Sequence, residues 1–259
     1  TLDYKVYLFD KNSSTPIWSY TTGHKINSVS ISSDGEYIAV ATHQNDGKIY
    51  LFDKDSSTPI WSYDTGYEVY CVSISSDGKY IAAGTASDTV YLFGRDSSTP
   101  KWSYTADDNV QTVAISADGE YIVSGTEGGK VYLFDKDSST PLWSYTTEVW
   151  VDSVAISADG KYIAAGSHDD KVYLFHKRSS TPLWSYTAGS DVHSVAISAD
   201  GEYIAVGSYD DKIYALQHRL LMDGTGIAIS TVEGPEISGL QIRDVTVRYT
   251  SAQGIETLF

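Results

Sequence analysis

Seven side chains able to hold a cation or move a proton fall close together late in the sequence: His168, Asp169, Asp170, Asp191, His193, Asp210 and Asp211. Imidazoles beside carboxylates are a donor set for a divalent ion, so calcium or another divalent cation held by His168, Asp170, Asp191 and Asp210 is one expectation. The same residues also serve turns and a solvated acidic rim, and no other cofactor is expected. No HExxH, CxxC, GxSxG or phosphate-binding glycine loop occurs, and no His/Asp/Ser set recurs as a triad would. The DKDSST runs at Asp53 and Asp135 begin as a calcium loop does but lack its central glycine and closing glutamate, so they read as turn caps. The expectation is that the chain is not an enzyme.

These residues belong to a repeat. Trp61, Trp102, Trp143 and Trp184 stand 41 residues apart, and Trp18 lies 43 before the first. A period of roughly 40 to 45 residues holding four short strands is that of one β-propeller blade, which buries its apolar face only when neighbours stack on it. In the copy starting at Val151 the runs VDSVAIS, KYIAAGS, KVYLFHK and PLWSYT are β-branched, aromatic and alternating, and turn residues separate them. An Asp-Gly pair ends the first run of each copy, at Asp34, Asp77, Asp118, Asp159 and Asp200, and is expected to supply the positive backbone dihedrals of a tight hairpin. Tyr132, Phe134, Trp143, Tyr145 and their counterparts are expected to pack between blades.

Strand order then gives an all-β propeller of four-stranded antiparallel blades, six in number, or seven if the chain is a fragment. Residues 1–217 hold the blades, starting with the third and fourth strands of one and ending with three strands of the sixth. Residues 218–259 form a divergent tail with two readings. It supplies the strands that close the propeller, as DVTVRY 41 residues after YIAVGS suggests, or it begins a β-helix-like module, as the wording GIAISTVEGPEISGLQI suggests.

Eighteen basic against 34 acidic residues give a formal charge of −16, which repels phosphate backbones and anionic lipid surfaces, so nucleic acid is not an expected partner. No apolar run is long enough to span a membrane. Cys71, the only cysteine, stands where other copies have Ser28, Thr112, Ser153 and Ser194, which reads as a small packed residue. The chain opens in mid-repeat without an initiator methionine, as a mature or excised piece would.

The copies divide each blade into constant and variable parts. SADG and DKDSSTP scarcely change, and both belong to the first and third turns, on one face. On the other face the second turns and the blade connections change in every copy. At the mouth of the inner strand stand Asn27, Tyr70, Gln111, Asp152 and His193, with Lys25, Glu68, Asn109, Trp150 and Asp191 two residues earlier. Packing alone would keep these positions alike, whereas binding surfaces are built from loops on a rigid scaffold. This face is expected to engage a protein or a glycan, with Trp150 and Tyr70 as anchors and Asn27, Gln111, Asp152, His193, Glu68 and Lys25 around them. Neutral drift of exposed turns is the competing explanation.

Two families resemble these blades. SVAISADGKYIAAGSHDDKVYLF is similar to the WD-repeat pattern, and VYLFDKDSSTPLWSY is similar to the repeat of quinoprotein-like (PQQ-like) propellers, over residues 3–217. The resemblance implies a propeller in which the tryptophan near the end of each blade docks on the next. The Trp-Asp pair of WD repeats is Phe52-Asp53 or Phe134-Asp135 here, and a Gly-His pair occurs only at Gly23-His24, so the hydrogen-bonded network of those repeats is not implied. The adjacent cysteines of quinoprotein dehydrogenases are missing, so only the scaffold carries over. Blades this alike also resemble amplified repeats of archaeal and bacterial surface proteins. That implies an extracellular or cell-surface setting, in which self-assembly into a layer or filament is the alternative role.

Overall fold

The computed structural model describes residues 3–43, 47–222, 228–235, 242–245, 249–251 and 254–256, with side chains through His218. Strands β1 (Lys5–Phe9) and β2 (Pro16–Thr21) form a two-stranded sheet. Four four-stranded antiparallel sheets follow. The first holds β3 (Ile26–Ile31), β4 (Tyr37–Thr42), β5 (Lys48–Asp53) and β6 (Trp61–Asp64), and the second β7 (Val69–Ile74), β8 (Tyr80–Thr85), β9 (Thr89–Gly94) and β10 (Pro100–Thr105). The third holds β11 (Val110–Ile115), β12 (Tyr121–Thr126), β13 (Lys130–Asp135) and β14 (Trp143–Thr146), and the fourth β15 (Val151–Ile156), β16 (Tyr162–Ser167), β17 (Lys171–His176) and β18 (Trp184–Thr187). A last sheet runs β19 (Val192–Ile197), β20 (Tyr203–Ser208), β21 (Ile213–Met222), β22 (Ala228–Pro235) and β23 (Ile242–Val245), and β24 (Tyr249–Ser251) pairs with β25 (Gly254–Glu256). The fold is the expected all-β propeller architecture of stacked four-stranded blades.

The cores lie between blades. Ala39, Ala41, Ile49 and Leu51 of one blade meet Val69, Val72, Ile81 and Phe93 of the next, and the pattern repeats at each junction. The tryptophan that recurs in each repeat clamps its junction. Trp61 Nε1 donates to the Arg95 carbonyl at 2.7 Å, Trp102 to Lys136 at 2.9 Å and Trp143 to Lys177 at 2.9 Å, with their rings 5.3 to 5.4 Å from Phe93, Phe134 and Phe175. On the constant face, backbone bonds link successive first turns: Ser33 to Ser76, Ser76 to Ala117, Ala117 to Ala158 and Ala158 to Ala199, at 3.0 to 3.1 Å. A serine or threonine on β3, β11 and β15 accepts from the next inner strand, as Thr112 Oγ1 does from the Val154 amide at 3.2 Å. Cys71 occupies this column, its sulfur 3.9 Å from the Val110 carbonyl, and burial pushes its thiol up to about 12. It is the packed residue expected.

The Asp-Gly turns differ from expectation in one respect. Only the glycine takes a positive φ, for example 73° at Gly119, while its aspartate stays outside that region. The aspartate acts through its carboxylate instead, as Asp118 Oδ1 accepts from Ser116 Oγ at 2.6 Å and from the Glu120 amide at 3.0 Å. A Cβ on Gly119 would also lie 2.4 Å from Tyr80 Cδ2 of the preceding blade, so glycine is needed for approach as well as for dihedral.

Among the described residues both ends of the array leave junction surface exposed. Val29 and Ile31 are 61% and 54% exposed, against 6% and 8% for their counterparts Val72 and Ile74, and they line a groove of about 560 Å³ with Tyr7 and Phe9. At the far end Ile213 is exposed where Ile49, Val90, Val131 and Val172 are buried. Among the described residues no strand pairs with the free edge of β1. Of the DVTVRY run, residues 246–248 lie outside the described residues, as do Gln44, Asn45 and Asp46 of the second turn that starts at His43.

Candidate functional site

Three positions in each blade build the variable face, and the backbone fixes them alike. The amide opening each second turn donates to the carbonyl that flanks the inner strand: His43 to Lys25, Ala86 to Glu68, Glu127 to Asn109, His168 to Trp150 and Tyr209 to Asp191, at 2.8 to 3.0 Å. The third position is a β-bulge. Register slips between Ile26 and Ser28, Val69 and Cys71, Val110 and Thr112, Val151 and Ser153, and Val192 and Ser194. The residues inside these slips are Asn27, Tyr70, Gln111, Asp152 and His193, the column singled out from the sequence. A bulge re-aims the side chain it carries, and here it leaves the ladder below undisturbed while the mouth varies.

These side chains reach across junctions. Asn27 Nδ2 donates to Glu68 Oε1 at 2.9 Å and to the Val69 carbonyl at 3.1 Å, and His43 Nε2 lies 3.2 Å from the same glutamate oxygen. Glu127 accepts from Asn109 at 2.9 Å and, more closely, from Gln111. Half-buried Tyr70 has its phenol pushed up by burial, then by the carboxylates of Glu68 and Glu127. In the last sector Asp152 Oδ2 lies 2.7 Å from His168 Nε2 and 2.6 Å from His193 Nδ1, while Asp191 lies 3.7 Å from His168 Nδ1. Trp150, 48% exposed, tilts against His168 with centroids 5.6 Å apart, and Tyr209 sets edge to face with His193.

Of the residues expected to hold a cation, the structure brings His168 and Asp191 to this cluster and leaves two outside it. Asp170 takes the left-handed turn position at φ 66°, shared with Asp88, Asp211, Gly47 and Gly129. Asp210 accepts from the Tyr214 hydroxyl and pairs with Lys212 at 3.3 Å; burial opposes its charge, but these hydrogen bonds outweigh it and hold the carboxyl below its ordinary range. Asp169 likewise accepts from the Tyr173 hydroxyl. Lys25 is exposed and gives the site its backbone carbonyl. The sequence reading does not single out Glu127, Tyr67 or Tyr209, although Tyr67 and Tyr209 are exposed aromatics of this face. Their signal lay in the repeat, since Glu127 holds the position of His43, His168 and Tyr209.

A known family model, described as outer membrane protein assembly factor BamB (PQQ_2), matches residues 46–219 of this array. The chain belongs to this PQQ-like repeat family. The WD domain, G-beta repeat model matches residues 14–53, which precede and only just overlap the first match. No curated protein matches the chain. Repeats of these two families build propellers that generally serve protein interaction or scaffolding, and they are generally non-catalytic. No helix among the described residues is long and apolar enough to cross a membrane.

Proposed function

We propose that the chain is a non-enzymatic binding propeller that recognises a protein or glycan through its variable face, outside the cell or at the surface of a prokaryote. The observation that carries the reading is the bulge column: one backbone geometry repeated in five blades, with a different side chain in each. Drift would scatter differences over every exposed turn. The exposed Ser-Ser-Thr turns of the constant face, as at Ser56 to Thr58 and Ser97 to Thr99, repeat almost letter for letter. The exposed aromatics Trp150, Tyr209 and Tyr67, with half-buried Tyr70, supply amphipathic anchors beside polar groups. The interaction role common to the family supports a protein partner, and the outer membrane setting in its description supports a surface location.

The test is a screen of the intact chain on arrays of glycans and surface-protein peptides, repeated with Trp150→Ala and with the constant-face variant Asp137→Ala. The expected result is a ligand whose binding falls at least tenfold with the first and holds with the second. A ligand lost with Asp137→Ala and kept with Trp150→Ala would overturn the reading.

A second reading, a subunit of a surface layer or filament, is favoured by the two end surfaces. The occupant proposed for the Val29 and Ile31 groove is a second copy, because the surface complementary to it is a blade of this same repeat, and Ile213 exposes such a surface at the other end. A heterologous contact of this kind closes into rings or extends into fibres. Sedimentation should show concentration-dependent assembly abolished by Val29→Asp with Ile31→Asp. A monomer at every concentration would remove the reading.

A further inference from the structure

The three variable positions repeat at every junction, so each junction presents one inner-strand bulge, one second-turn residue and the next bulge in similar placement. Asn27, His43 and Tyr70 occupy them first, then Tyr70, Ala86 and Gln111, then Gln111, Glu127 and Asp152. At the fourth junction all three are metal-ligand types: Asp152, His168 and His193. Among the described residues this is the only such group, with one donor atom from each lying within 4.8 Å of the others.

We propose that Asp152, His168 and His193 form a three-ligand site for a divalent transition cation of the zinc type. Two imidazoles and one carboxylate are a donor set for such an ion, whereas calcium would need six or more oxygens. Bonds of about 2.1 Å to a tetrahedral ion set its donors about 3.4 Å apart, so small rotamer changes seat the ion between His168 Nε2, His193 Nδ1 and the carboxylate. His168 and Asp152 are 23% and 17% exposed, half-sheltered yet open to an entering ion. Two further observations fix the donor atoms. His193 Nε2 is buried without a polar partner, which leaves Nδ1 as the nitrogen available to a ligand. Asp191 stands 3.7 Å from His168 Nδ1, on the far side from Asp152, where a carboxylate orients a ligating imidazole. Three protein ligands leave a fourth position for water or for a donor from a bound partner. The metal site does not depend on the partner reading, because the ion alone tests it.

Titration of the intact chain with zinc chloride should show one ion bound per chain, with affinity falling at least a hundredfold for His168→Ala and for His193→Ala. The control His24→Ala should bind as the parent does. Cobalt(II) should give the visible bands of a tetrahedral site, and these should vanish in the same two variants. Circular dichroism checks that each variant is folded, and all the changes lie in turns or bulges. Zinc affinity unchanged in the double variant His168→Ala, His193→Ala, or no binding by the parent at millimolar zinc, would overturn the proposal.

Discussion

The indole nitrogen of Trp102 donates to the main-chain carbonyl of Lys136 at 2.9 Å, 34 residues further on and in the next blade. The same offset joins Trp61 to Arg95 and Trp143 to Lys177, so one residue type carries both the packing and the polar fastening of successive junctions.

From this, Trp102→Phe should cost about 1 kcal/mol through the lost hydrogen bond. Trp102→Ala should cost about 3 kcal/mol through lost packing as well. Trp150→Ala, at an exposed position, should change stability by no more than about 0.5 kcal/mol. Urea unfolding of the three variants checks the order.

Glycine at the first turns answers two demands that can be separated. Gly35 has φ 74° with nothing within 4 Å of an added Cβ, while Gly119 has φ 73° with Tyr80 Cδ2 at 2.4 Å. Gly35→Ala should therefore cost about 1 kcal/mol from the dihedral alone. Gly119→Ala should cost about 2 kcal/mol or more, and pairing it with Tyr80→Ala should show coupling in a double-mutant cycle.

The last junction should weaken in acid. His218 Nδ1 accepts from Trp184 Nε1 at 3.3 Å, and burial, followed by His176, holds this imidazole below its ordinary value of 6.5. The unfolded chain then binds more protons than the folded one between the two values. The His218 contribution is full above the unfolded value and is lost as pH falls toward the folded one. Denaturant midpoints measured on either side of about pH 6 should differ less in His218→Gln than in the parent.

Cys71 should resist alkylation. With its thiol pushed up to about 12, the thiolate is scarce at neutral pH, and its surroundings are packed. Iodoacetamide should label it only on unfolding, and labelling of the folded chain at the rate of a free thiol would contradict the packing described.

Much of the fold was legible because the repeat acts as an internal comparison. The spacing of the tryptophans gave the blades, and invariance of SADG gave the constant face. Less was legible at the site. The bulge that re-aims Asp152 and His193 has no residue signature, since it arises from a register slip between strands. The roles of Asp170 and Asp210 were masked because turn aspartates and ligand aspartates read alike in a sequence; backbone dihedrals and hydroxyl partners tell them apart.

The account stands on the claim that the side chains differing between blades meet the partner. Hydrogen–deuterium exchange of the chain with and without a ligand selected on the arrays measures this directly. Protection is predicted at the connections and second turns around Tyr67, Asn109, Trp150, His168, His193 and Tyr209. Protection confined to the first turns around Asp77, Asp118 and Asp159 would contradict it.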